Sequence, residues 1–344
     1  MVAQVLDLAG IVPNRDLAPM QPGCTLDALT AHLLTGIGHA LDAERPDWVV
    51  VQGDTATAMA GALAAYYRNI PVVHVEAGLR SGDIHNPWPE EVNRRIVATL
   101  ATLHCAPTQG AAAALLAENV APESVHVTGN TVIDALHWIT ASVAQEPTLA
   151  AAMGAIEHRF AGRRIVAVTA HRRENWGAGL AGIAEAVRRL AGRDDIAIVL
   201  PLHPNPAVRA ALEERLAGLA NVALTGPLDY PNFAQLLAVA TLVLTDSGGV
   251  QEEAPALGVP VLVLRETTER PEGIAAGTAR LVGTQPDRIV AEATRLLDDA
   301  AAHAAMARAH SPYGDGKAAG RIVQLLARLA VEHGEPVGGQ APLS

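Results

Sequence analysis

The chain has 344 residues, half of them hydrophobic but only 3% aromatic, with a formal net charge of −11 and two cysteines. Domains of about 100–200 residues make two domains the expectation, with a core built from Ala, Val, Leu and Ile. The acidic balance argues against a nucleic-acid binder, which needs Lys and Arg clustered on a basic face, and Cys24 and Cys105 form no CxxC pair, which excludes a thiolate zinc site and gives no disulfide framework. No apolar run approaches the roughly 18 residues of a membrane span, and no targeting segment opens the chain. A soluble, cytoplasmic protein is the expectation.

In chain order, "DWVVVQGD", "IPVVHVEAG", "HCAPT" and "SVHVTGN" read as the ends of buried strands, each leaving toward a loop with Gly, Thr, Asp or Glu. Such apolar runs fit a parallel sheet. Between them, "TATAMAGALAAYYRN" and "TQGAAAALLAENV" have helical spacing, with Thr55 and Thr108 as N-caps. The pattern restarts with "RRIVAVTAH", "IAIVLPLH", "NVALTGPL", "TLVLTDSGG" and "VPVLVLRE", alternating with helical segments such as Leu180 to Leu190 and Pro206 to Leu216. A loop and then a helix from about Lys317 follow.

The fold class implied is α/β, two Rossmann-like doubly wound domains facing a cleft. The boundary is expected in Val143 to Arg164, giving domains at 1–164 and 165–312, a helix over 313–334 packing back on the first domain, and a frayed tail at 335–344. In open parallel sheets the ligand sits beyond the carboxyl ends of the strands.

The loop "TDSGGVQEEA" is the most constrained. Its two glycines let the backbone approach a ligand closely, and the helix that follows presents free N–H groups and a positive dipole end. A phosphate fits there, although an N-cap with acidic residues in the first turn is the plainer reading. Glu252 and Glu253 point about 100° apart on a helix, so one is expected to face the ligand and the other solvent or structure. A carboxylate beside a phosphate needs hydrogen-bond donors, and ribose hydroxyls supply them. A nucleotide answers both demands. The "GAGLAG" glycines do not follow their strand directly and read as a loop entering a helix. No P-loop, HExxH or GxSxG is present.

Asp54 and Glu76 end strands, and Glu90 lies four residues before Arg94, which places that pair on one helix face. Surface pairing is the plain alternative, but carboxylates gathered on neighbouring strand-end loops suit proton transfer. His171 follows a strand in "HRREN", with Arg172 beside it, and His203 has the same placement after "IVLPLH".

Together "VQGDTAT", "PVVHVEAGLRSGD", "NPWPEEVNRR", "VTGNTVIDAL", "TAHRREN", "LTDSGGVQEEAPALGVPVLVLRETTERPE" and "YGDG" resemble the non-hydrolysing UDP-N-acetylglucosamine 2-epimerases, in family order. The resemblance implies a glycosyltransferase-B-like fold, a UDP-sugar substrate, a homodimer, and no redox cofactor or metal. It implies epimerisation by loss of UDP and the C2 proton, then re-addition with the proton delivered to the other face. By motif, Asp54, Glu76, Glu90, Arg94 and His171 resemble the catalytic set. Ser247, Gly248 and Gly249 resemble the diphosphate loop, Glu253 the ribose ligand, Leu228 and Phe233 the uracil pocket, and Arg270 a further substrate contact. Arg172 and His203 resemble an activator-binding region.

The chain departs from the family at its start, where members carry a strand and a Gly-Thr-Arg-Pro-Glu loop. Roughly forty residues, about one βαβ unit, are missing, so the first domain is expected to be incomplete, with an unpaired strand edge and without the loop's phosphate-contacting arginine. A glycosyltransferase of the same fold and a UDP-sugar-binding protein without turnover stand as alternatives.

Overall fold

The computed structural model describes residues 2–18 and 23–332. The tail expected at 335–344 lies outside them. The chain folds as two compact units, the first Leu17–Asp134 with Gly314–Ser344, the second Met1–Asp16 with Ala135–Tyr313.

The first unit holds β1 (Val49–Gln52), β2 (Val72–Val75), β3 (Leu103–Ala106) and β4 (Val125–Val127), all parallel, in the order β1-β2-β3-β4. Val and Ile branch at Cβ and pack well on a pleated surface, and β2 and β3 are buried at every position. At the sheet's end β1 is covered less, and Val50 is 53% exposed. Successive side chains alternate between faces. Val51 and Val72 accordingly pack with Ala58, Ala62 and Ala65 of the Ala56–Tyr66 helix and with Val97 of the Glu90–Leu100 helix, while Val73, Val75, Leu103 and Cys105 pack with Ile322 of the Ala318–Glu332 helix. That last helix is capped from a distance: the Asp134 carboxylate accepts the Ala318 and Ala319 N–H groups at 3.1 and 2.9 Å. Thr55 and Thr108 cap their helices, accepting from Ala58 N and Ala111 N at 3.2 and 3.0 Å. After β2 the chain turns at Gly78, where φ is +91° and a Cβ would lie 2.2 Å from the Ala111 carbonyl oxygen, so only glycine fits.

The second unit holds β5 (Arg164–Thr169), β6 (Ile196–Pro201), β7 (Val222–Thr225), β8 (Ala240–Thr245), β9 (Val261–Val263) and β10 (Ala279–Leu281). Its order is β10-β9-β8-β5-β6-β7, and all pairings are parallel. This is the doubly wound arrangement, with the strand order reversing between β5 and β8. Helices Ala178–Leu190 and Pro286–Asp298 bury Ile183, Val187, Ile289 and Leu296 on one sheet face; Ala151–Arg159 and Tyr230–Val239 bury Met153, Leu236 and Leu237 on the other. The sequence reading has no strand at β10, because Arg280 interrupts its apolar run. Nor does residue 164 divide the units. Residues 135–164 belong to the second, where the buried Asn232 side chain accepts the Met153 N–H at 2.8 Å and Leu136 and Ile139 pack on Ala234.

No described helix is long and apolar enough to cross a membrane. Among the described residues no group of three His, Cys, Asp or Glu side chains is placed to hold a metal ion.

Candidate active site

In the second unit the loops after β5 and β8 leave the sheet at the switch point, where open α/β sheets hold their ligands. Asp246 organises them. It is fully buried, and its carboxylate accepts the backbone N–H of His171 at 2.9 Å, that of Arg172 at 2.9 Å, and the Asn175 amide at 3.0 Å. His171 Nδ1 lies 3.2 Å from it. Burial lowers the His171 pKa from its ordinary value, against the pull of the Asp246 charge. The ring stacks on His203 with centroids 5.9 Å apart, so the two histidines expected at strand ends do meet. Thr169 and Thr245 join β5 and β8 through their hydroxyls at 2.5 Å, and Thr245 Oγ1 accepts the Ser247 N–H at 2.9 Å.

Ser247, Gly248 and Gly249 then lead into the short Val250–Ala256 helix. The buried Gln251 amide donates to the Ser247 carbonyl at 3.0 Å and its oxygen accepts from Thr268 at 2.6 Å, which ties this loop to residues 265–270. The N–H groups of Gly248, Gly249 and Val250 meet no acceptor among the described residues. Free N–H groups at a helix start attract anions. Gly248 admits no side chain cheaply: a Cβ would lie 2.7 Å from Glu269 Oε1, and Glu269 is itself held by Arg172 at 3.1 Å and Arg265 at 2.5 Å.

One turn into the helix the two glutamates diverge. Glu252 is buried and ion-paired with the Arg270 guanidinium. Glu253 is also buried, 8% exposed, and makes no hydrogen bond among the described residues. Burial, and then the Glu252 charge, pushes its pKa up to about 7. The nearby Tyr230 hydroxyl is buried without a partner. Neither glutamate faces solvent, so Glu252 takes the structural one of the two roles left open for the member turned away from a ligand. Arg270, expected to contact a ligand, is engaged by Glu252. Leu228 and Phe233 are half-buried against the core beside Leu236 and Leu237.

The first unit carries the other carboxylates. Arg94 donates through Nε at 3.1 Å and through Nη2 to the same oxygen, Oδ2, of Asp54. Asp54 Oδ1 takes no partner among the described residues, while the Asn93 amide fixes the Asp54 carbonyl at 2.9 Å. Glu76 stands in the left-handed region, φ +63°, uncommon for a residue with a Cβ. Its carboxylate lies beside Gly53. His74, fully buried, bonds the Gly53 carbonyl through Nε2 at 2.9 Å, and burial holds its pKa at about 4.

The expected Glu90–Arg94 pair is not made. Glu91, one residue on, bonds Arg94 and Arg95 instead, and Glu90 stays half-buried at the helix start. Both glutamates have helical spacing to an arginine. Glu91 shares its face with the buried Arg94 and Ala98, and burial decides between them.

Residues 1–327 match the family profile described as UDP-N-acetylglucosamine 2-epimerase. The chain belongs to that family. The UDP-N-acetylglucosamine 2-epimerase of Salmonella typhimurium is 50% identical over 329 residues, 95% of this chain and 87% of the relative. That of Escherichia coli K12 is 49% identical over the same shares. Among solved structures, the Neisseria meningitidis epimerase bound to UDP-GlcNAc has a TM-score of 0.86 at 41% identity, covering 95% of this chain and 88% of that one. A Staphylococcus aureus protein solved with UDP has a TM-score of 0.87 at 40% identity, covering 100% and 90%. With these family members the chain shares a glycosyltransferase-B-like pair of parallel α/β sheets.

Asp246, Gln251, Glu269 and Glu91 were not singled out from sequence. Asp246 stands in the quoted loop, but nothing in a linear reading tells that the backbone after β5 donates to it from 75 residues away.

Proposed function

We propose that the chain interconverts UDP-N-acetylglucosamine and UDP-N-acetylmannosamine without hydrolysis. The C2 proton leaves to a base as the bond from C1 to the UDP oxygen breaks, giving a glycal with a C1–C2 double bond. UDP then adds back to C1 while a proton reaches C2 from the opposite face. Asp54, Glu76 and Glu90 share the proton transfers, Arg94 holding Asp54 with Oδ1 turned free. The departing diphosphate is received by Ser247 and the N–H groups of Gly248 and Gly249, with His171 beside them, an electropositive cradle that needs no rearrangement as charge develops. Leu228 and Phe233 flank the uracil.

Glu253 carries this reading. Its burial and the neighbouring Glu252 charge make the ionised form costly to keep, and a carboxyl placed a helical turn past an anion-accepting loop fits a ribose whose hydroxyls donate to it. Incubation with UDP-N-acetylglucosamine and no acceptor is expected to produce UDP-N-acetylmannosamine by proton NMR, with no free sugar. A chain that binds UDP and forms no second sugar nucleotide would refute the proposal. A homodimer in the cytoplasm completes it, checked for assembly by light scattering.

A pH dependence follows. The folded Glu253 titrates near 7 against an ordinary 4.5, so the folded chain holds an extra proton between those values and its stability falls as pH rises through them. Ribose hydroxyls donate to the ionised form. UDP is therefore expected to bind more tightly as pH rises toward 7, releasing a proton, and calorimetry in buffers of different ionisation enthalpy should detect it. Glu253→Ala should abolish the release and weaken UDP binding by roughly 10- to 100-fold, the worth of about one hydrogen bond to a charged group. An unchanged dissociation constant would remove Glu253 from the ribose.

A further inference from the structure

Glu91 is the most thoroughly bonded carboxylate of the Glu90–Leu100 helix, and no step above uses it. It is fully buried. Oε2 accepts the Ser81 N–H at 3.0 Å and Arg94 Nη1 at 3.2 Å; Oε1 accepts Arg95 Nε and Nη2 at 3.1 and 3.0 Å. Burial alone would raise its pKa, but the Ser81 N–H and the two arginines outweigh that and hold the carboxyl below its ordinary value.

We propose that Glu91 is a positioning residue, holding one arm of the Arg94 guanidinium so that the other two nitrogens meet a single oxygen of Asp54. The argument rests on the rigidity of the guanidinium fork. Its nitrogens are fixed in one plane, so anchoring Nη1 on Glu91 sets where Nε and Nη2 point. They converge on Asp54 Oδ2, and Oδ1 is left without a partner among the described residues. An arginine side chain released from such an anchor regains rotamer freedom and samples other directions, including both oxygens of Asp54. The Ser81 contact extends the same hold to the loop after β2, whose Ser81 hydroxyl accepts the Asp83 N–H at 3.2 Å. Arg95, 41% exposed in its side chain, neutralises the second oxygen of Glu91 and touches none of the reacting groups.

This inference deepens the proposed epimerase reading and rests on it for its kinetic consequence, so the test has one arm free of turnover. In protein labelled with 15N-arginine, the Arg94 Nε–H signal, assigned by its loss in Arg94→Lys, should exchange slowly with water in the wild-type chain and rapidly in Glu91→Gln. In the second arm, Glu91→Gln should lower kcat for C2 exchange by roughly 10- to 100-fold, the effect of misplacing a reacting group by about 1 Å, with KM and UDP affinity within about twofold of wild type. Arg95→Gln breaks the same buried cluster without touching the Arg94 arm, and should keep both the slow Nε–H signal and kcat. Equal losses of kcat and Tm in the two variants would overturn the proposal and leave Glu91 as a stabilising residue. So would a Glu91→Gln protein with the wild-type signal and rate. A wild-type chain without C2 exchange, whose Arg94 signal still responds to Glu91→Gln as described, would refute the epimerase reading while supporting this placement.

Discussion

Asp54→Asn is expected to lower the rate of C2 proton exchange by roughly 100- to 10,000-fold, the range for removing a positioned general acid or base, while UDP binds within about threefold of wild type. The amide keeps the shape of the side chain and one oxygen for Arg94, so the fold should persist, but it cannot hold a proton in transit. Deuterium uptake at C2 followed by NMR, beside UDP titration by calorimetry, separates the two effects. Normal exchange with weakened UDP binding would reverse the division of labour drawn between the two units.

Asp246→Ala should be the most damaging single change in the second unit. It strands the His171 and Arg172 N–H groups and the Asn175 amide, all donating to one buried carboxylate. Breaking a buried charged network by removing one member costs about 3–5 kcal/mol, and for a unit of this size that is a fall of about 10 °C in Tm. UDP affinity should fall with it, because the loops after β5 and β8 lose their common anchor. Calorimetric melting with and without UDP checks both. A variant that melts as wild type and binds UDP normally would show that Asp246 organises nothing.

Much of the architecture was legible because parallel strands are buried on both faces and announce themselves as apolar runs bounded by small polar residues. Nine of the ten strands answer to such runs; β10 does not, since Arg280 lies in the middle of a three-residue edge strand. Thr55 and Thr108 cap the helices their spacing assigned to them. What escaped is what depends on burial and on partners distant in sequence. Helical spacing offers Arg94 to Glu90 at four residues and to Glu91 at three, and only the packing of the helix against the sheet chooses Glu91. Similarly, Glu252 and Glu253 differ because Arg270 reaches the first from 18 residues on and no described donor reaches the second. The Ser247–Gly249 loop was readable as a loop from its two glycines, yet its stiffness comes from Gln251, Thr268 and Glu269, which bond across loops rather than along the chain.

The most direct measurement is the epimerisation run in deuterium oxide. If the carboxylates of the first unit remove and return the C2 hydrogen while UDP departs and comes back, both UDP-N-acetylglucosamine and UDP-N-acetylmannosamine recovered at equilibrium will carry deuterium at C2 and none elsewhere on the ring. A second sugar nucleotide that retains its original hydrogen at C2, or bound UDP-N-acetylglucosamine that never exchanges it, would contradict the account.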